Sequence, residues 1–269
     1  MFRCLILWPA VVGLALAQQR GMLLADLTWV EAEKALKPET VVVIPIGAEA
    51  KEHGPHMKLK TDYLEAEYFK RQILERADVV VAPTVNYSFY PAFLEYPGST
   101  SLRLETARDM LVDICRSLAH YGPRHFYALN TGVSTLRALE PAAATLAAEG
   151  IELRFTNILE IGAEAEKLVR REEGGTHADE IETSMLLYID PATVDMSKAV
   201  KDYHPGEGPL TRDPHKAGAY SASGIYGDAT LATREKGEAI ARAMVEGMLR
   251  EIETLRRAPV KTSATTAQP

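Results

Sequence analysis

Apolar positions along this chain follow two rhythms. Short runs at 41–46, 79–82, 125–129 and 151–158 are continuous or alternating, rich in β-branched and aromatic residues, and read as strands. Between them, apolar residues recur at three- and four-residue spacing, as one face of a helix requires. Such stretches run over 27–36, from Asp62 to Arg76 (Ala66, Phe69, Ile73, Leu74), and from Glu105 to Tyr121 (Ala107, Met110, Leu111, Ile114, Leu118). Others are an alanine-rich segment ending at Glu149, 162–172, a segment after Thr176 with Met185, Tyr188 and Ile189, and Thr230 to Leu255. Gly122-Pro123 and Gly150 act as stops, and Asp62 and Thr176 as helix caps. Strands alternating with helices at this spacing predict βαβ units: an α/β domain over 18–257 with a mainly parallel sheet covered on both faces. Two stretches lack either rhythm. Asn86 to Thr100 is aromatic and proline-bearing, an ordered loop suited to covering a site, and 200–229 is a second irregular segment.

The two ends stand apart from this pattern. Met1-Phe2-Arg3 is a short basic start, Cys4 to Leu16 is apolar, and Ala15-Leu16-Ala17 offers small residues to a signal peptidase. Residues 1–17 are thus expected to be a secretory signal peptide, which places the mature protein in the periplasm or outside the cell, with no membrane anchor. The last residues, 258–269, are expected to be a disordered tail. Outside the leader only Cys115 remains, so no internal disulfide is available and the fold must rest on its core. A net charge of −7 with no basic cluster argues against a nucleic-acid surface.

The chemistry concentrates after the first strong strand. Glu52, His53, His56 and Asp62 fall within eleven residues on a loop bent by Gly54-Pro55, at the strand end where open α/β sheets usually bind ligands. Neutral imidazoles with carboxylates suit zinc first, with iron or manganese as alternatives. Of the seven histidines, His120 and His125 flank a helix stop and read as structural, and His204 and His215 lie beside aspartates in the late loop. His177 precedes Glu182 by five residues, about 140° around a regular helix, so it belongs in the turn before the helix, where it can transfer protons. Capping carboxylates and surface histidines remain the competing reading of these same residues.

Longer motifs carry a family resemblance. GAEAKEHGPHMKLKTD resembles the EQHGPHLPLxTD signature of the creatininase family, and HADEIETS its HAGExETS motif. SGIYGDATLATREKG is similar to its GxxGDPxxATxEKG segment and EYPGSTSL to its FPGTISL, in family order over residues 27–256. The resemblance implies a three-layer α/β/α sandwich, a one- or two-metal site, hydrolysis of cyclic or linear amides, and a homo-oligomer, usually a hexamer. It puts His53 and Asp62 on metal ligands, His177 on the proton-handling histidine, and Glu182 at or next to the metal. Two departures stand out. Lys51 occupies the place of a glutamate ligand, so the adjacent Glu52 is expected to serve instead. The NGHxxN motif reads Asn130-Thr131-Gly132-Val133-Ser134-Thr135, with glycine for its metal-binding histidine. A single ion per subunit is therefore expected, with Asn130, Ser134, Thr135 and Tyr96 of the covering loop contacting a small amide substrate. The competing function is a non-catalytic relative that binds a small ligand.

Overall fold

The computed structural model describes residues 19–260. In chain order it contains β1 (Met22–Leu23), α1 (Trp29–Ala35), β2 (Val41–Ile46), α2 (Thr61–Arg76), β3 (Val80–Val81), α3 (Leu104–Ala119), β4 (His125–Asn130), α4 (Leu136–Ala147) and β5 (Glu152–Phe155). Then follow α5 (Ile158–Ile161), α6 (Ala163–Val169), α7 (Glu180–Ile189) and α8 (Arg234–Arg257), with four two-residue strands between the last two helices. The five main strands form one sheet in the order β1-β3-β2-β4-β5, and every pairing in it is parallel. All six residues of β2 and of β4 are buried, which is why these central strands read as apolar runs rather than alternating ones.

Strand order dictates the layers. The steps β1→β2, β3→β4 and β4→β5 all run in one direction across the sheet, whereas β2→β3 runs in the other. Right-handed crossovers then put α1, α3 and α4 on one face and leave only α2 on the opposite face. The packing agrees: Leu111, Cys115, Leu139 and Leu146 join one side of β2 and β4. On the other side Phe69 and Ile73 of α2 share a core with Ile181 and Met185 of α7 and with Met244, Met248 and Ile252 of α8. The C-terminal helices thus complete a face the crossovers leave half covered. The expected three-layer α/β/α sandwich is the fold observed.

Two glycines allow close approaches that matter for the site. A Cβ on Gly237 of α8 would run into the backbone carbonyl of Ser184 on α7, and Ser184 Oγ accepts a hydrogen bond from Thr233 N at 3.0 Å. A Cβ on Gly47, just past β2, would collide with the Asp62 carbonyl, so glycine there lets the start of α2 lie against the strand end.

Several local expectations shift. The helix starting near Asp62 begins at Thr61 with no side-chain cap, because the Asp62 carboxylate turns inward. The cap of α7 is Asp179, accepting from the amides of Ile181 and Glu182, not Thr176. The fourth strand covers only Glu152–Phe155, and β1 went unpredicted because two residues show no rhythm. Cys115 is fully buried, and burial pushes its thiol up to about 12, consistent with a packing role. Among the described residues no helix is long and apolar enough to cross a membrane. The leader expected over 1–17 lies outside the described residues, as does the tail from 261 onward.

Candidate metal centre

The chain after β2 heads toward β3 and the chain after β4 heads toward β5. Ile46 and Asn130, paired at the ends of the two strands, therefore open a crevice between diverging loops. The 47–60 loop is braced from outside by the 86–100 segment: Glu52 N donates to Ser99 Oγ at 2.9 Å, and Thr100 N to Ala50 O at 2.9 Å.

Asp62, fully buried in the first turn of α2, is the hub. Lys51 Nζ lies 3.0 Å from its Oδ1 and 2.8 Å from its Oδ2, inside the protein. His53 Nε2 lies 2.9 Å from Asp62 Oδ1 and 3.4 Å from Glu182 Oε1. His53 Nδ1 is 2.9 Å from the Lys51 carbonyl, which can only accept, so Nδ1 carries a proton. Its other nitrogen then faces two carboxylates, an arrangement that needs a proton or a metal ion between them. A backbone carbonyl fixing one imidazole nitrogen while the other points at carboxylates is the usual support of a metal-binding histidine.

In the metal-free protein a proton fills that role. Burial and the Lys51 ammonium oppose protonation of His53, but Glu182 and Asp62 outweigh them and raise its pKa from 6.5 to about 9. Because the folded-state value is the higher one, the stabilisation from this imidazolium is complete below pH 6.5 and is lost as pH rises through about 9. Metal affinity should run the opposite way, since an ion must displace the proton. Titration calorimetry with Mn²⁺ at pH 6.5, 7.5 and 8.5 is expected to show about a tenfold gain in affinity per pH unit. A flat profile would rule out displacement of a proton from His53.

Glu182 sits in the first turn of α7, its Oε2 accepting from Ala178 N at 2.5 Å and lying 3.5 Å from His177 Nδ1. Burial opposes its ionisation, but His53, His177 and Lys51 hold its carboxyl far below the ordinary range. Ala178 has φ of +48°, the one non-glycine residue in the left-handed region among those described. That costly conformation turns the chain so that His177 and Glu182 face the same crevice.

Glu52 departs from the sequence expectation. It does not join the ligand group; its Oε1 accepts from His177 Nε2 at 2.8 Å and its Oε2 from Gly54 N at 2.8 Å. Being adjacent to Lys51, it points the other way along the loop and orients His177 instead. His56 also lies apart: its Nε2 is hydrogen-bonded with Thr183 Oγ1 at 2.8 Å, tying the loop to α7, and burial lowers its pKa to about 4. Asn130 and Thr135 are occupied with their own loop, since Asn130 Nδ2 donates to Gly132 O at 2.7 Å and Thr135 Oγ1 lies 2.6 Å from the same carbonyl. Tyr96 is buried with its hydroxyl donating to Ser221 O at 2.7 Å, so it supports the covering segment from behind.

A cavity of about 380 Å³ opens above Lys51, His177 and Glu182, with Ser134 on its rim and Tyr90, Phe93 and Tyr226 as aromatic walls. The Phe93 ring packs against His177 at 4.4 Å between centroids, inclined by 45°. At Gly132, which lines this cavity, an added Cβ would lie 3.1 Å from Thr135 Oγ1 and 3.3 Å from Tyr90 Cε1, so a larger side chain would need both neighbours to shift. Glu65, one helical turn after Asp62, is fully buried with neither carboxylate oxygen hydrogen-bonded. Its trace in the sequence was a carboxylate set between Asp62 and Phe69 on the apolar face of α2. The buried roles of Lys51, Tyr90 and Phe93 left no such trace.

Known proteins share this fold and much of this sequence. The family model "Creatininase: Creatinine amidohydrolase" matches residues 25–252. The creatinine amidohydrolase of Pseudomonas putida is 27% identical over 252 residues, which cover 85% of this chain and 95% of that protein. The mycofactocin precursor peptide peptidase of Mycolicibacterium smegmatis is 30% identical over 215 residues, covering 77% of this chain and 82% of the relative. Among solved structures, a manganese creatininase superposes with a TM-score of 0.74 at 24% identity, covering 88% of this chain and 99% of its own. A creatininase variant of the zinc–zinc type gives 0.72 at 25% identity, covering 88% and 98%. Matched by the family model over most of its length and by a 30%-identical relative, this chain belongs to the creatininase family of amidohydrolases.

Proposed function

We propose that this protein hydrolyses a C–N bond in a small cyclic or linear amide, with one divalent metal ion held by His53, Asp62 and Glu182. The observation that carries this reading is the His53 Nε2 presented to two carboxylates at 2.9 and 3.4 Å, beside a cavity of small-molecule size. The donor set fits the group: an imidazole fixed by a carbonyl, carboxylates held ionised by neighbouring cations, and zinc or manganese equally suited to such ligands. When bound, the ion supplies Lewis acidity, polarising an amide carbonyl and making water acidic enough to attack near neutral pH.

The chain's own groups do the rest. His177 holds a proton on Nε2, fixed by Glu52, while Nδ1 turns toward Glu182, so the ring is placed to carry a proton to the departing nitrogen. Tyr90 and Phe93 exclude water and offer flat faces to a planar amide. The Lys51 ammonium offsets the Asp62 charge and supports a single ion where a two-metal relative holds a pair. Export by the 1–17 leader and assembly into a homo-oligomer form part of the same proposal; the first rests on the leader pattern and the second on family resemblance.

The Lys51 ammonium on Asp62 also favours a second reading, a ligand-binding protein without turnover. Metal removal separates the two. Protein stripped by a chelator should hydrolyse none of a panel of lactams, formamides and short peptides that the loaded protein cleaves, and Mn²⁺ or Zn²⁺ should restore cleavage. No turnover across the panel with either metal, despite ligand binding, would favour the second reading.

A further inference from the structure

We propose that Glu65 is an additional ligand of this divalent ion, making the centre one imidazole and three carboxylates: His53, Asp62, Glu65 and Glu182. The inference rests on the metal-dependent reading above and adds a ligand that no motif of the chain assigns.

A carboxyl group buried without any hydrogen-bond partner is costly, and proteins rarely keep one unless a cation or another polar group faces it. Glu65 is 0% exposed, and neither of its oxygens has a partner. Its surroundings are far from apolar. It follows Asp62 by three residues on α2, so the two carboxylates share a helix face. One oxygen each from Asp62, Glu65 and Glu182 lie within 4.8 Å of one another. His53, His177 and Glu182 form a second group within the same limit, and Glu182 belongs to both. With His53 Nε2 only 2.9 Å from Asp62 Oδ1, the imidazole and the three carboxylates border one small volume. Three buried carboxyl groups facing one another cannot all stay ionised unless a cation lies among them; without one, a proton must do so.

Lys51 does not meet this need. It contacts both oxygens of Asp62 and no oxygen of Glu65, and so covers one side of Asp62 and leaves the Glu65 side open. The chain thus carries an ammonium at 51, lacks an imidazole at 132, and holds an unpaired carboxylate on α2. These three features together describe one ion position shifted toward α2. An oxygen-rich set of this kind moves the preference toward manganese(II).

The test is Mn²⁺ binding, followed by the electron paramagnetic resonance signal of free ion, for the full protein and for Glu65→Gln. Glutamine keeps the shape of the side chain and removes its charge. We expect the variant to bind Mn²⁺ at least about tenfold more weakly, with a metal-free melting temperature equal to or above that of the parent. Affinity within twofold of the parent overturns the proposal. A second measurement needs no variant: in Mn²⁺-soaked crystals of the parent, the anomalous peak must lie within bonding distance of a Glu65 oxygen, and a peak beyond it overturns the assignment. If the parent binds no Mn²⁺ at all, the metal-dependent reading itself fails. If the parent binds Mn²⁺, His53→Ala loses it and Glu65→Gln keeps it, only the role of Glu65 fails.

Discussion

His53→Ala is expected to abolish stoichiometric metal binding, lowering affinity by more than about 100-fold, since even supporting residues around such ions are worth about 10–100-fold. The parent should hold about one equivalent of Mn²⁺ or Zn²⁺ per chain after dialysis, and elemental analysis of the variant should fall to background. Stability supplies a second readout. In the metal-free protein His53 is the cation between Asp62 and Glu182, both carboxylates being buried or nearly so. Removing one partner of a buried ion pair costs about 3–5 kcal/mol, because the remaining charges stay desolvated. Urea denaturation at pH 6.5 should therefore show that loss, and the gap should narrow toward pH 9 as the parent's own imidazolium deprotonates. Unchanged metal content in His53→Ala would remove the foundation of the proposed centre.

His177→Ala is expected to cut turnover of a cleaved amide by about 10²–10⁴-fold, the usual worth of a positioned proton-transfer group. Metal content should stay at the parent's level, because Nε2 is bonded to Glu52 and Nδ1 is 3.5 Å from Glu182. KM should move far less than kcat, since the cavity walls are formed by Tyr90, Phe93 and Tyr226. Loss of the ion together with activity would reassign His177 as a ligand, in keeping with its place within 4.8 Å of His53 and Glu182 atoms. The pairing with Glu52 is what separates the two roles: a carboxylate behind an imidazole fixes its tautomer and orientation.

The small residues of the longer motifs turn out to be matters of packing. Ser184 and Gly237 bring α7 and α8 into backbone contact, and Gly47 lets α2 meet the end of β2. Through these contacts the sheet face left half covered by the crossovers becomes the wall that carries Glu182. Fold and site are therefore held by the same approaches, and Ser184, the residue Gly237 packs against, lies two residues from Glu182 on α7.

Local rules made much of this protein readable in advance. The spans of β2 and α2, the parallel sheet, the loop bearing His53 that leads into Asp62, and the pre-helix place of His177 all follow from periodicity, helix breakers and spacing over a few residues. The two-residue strands are too short to show a period, and the cap of α7 at Asp179 instead of Thr176 turned on which side-chain oxygen the turn could aim at the first amides of the helix. What three dimensions decided was charge. Lys51 and Glu52 are neighbours in the chain, yet one side chain enters the core to meet Asp62 and the other turns out to hold His177. Glu65 shows in the sequence only as a carboxylate on the apolar face of α2; what it faces is decided when α7 arrives opposite it with Glu182. Periodicity reports which face of an element is buried, but not which charges from distant elements will share that burial. Coulomb interactions and desolvation depend on distances through space, and those exist only once α2, α7 and the loop after β2 have closed around one another.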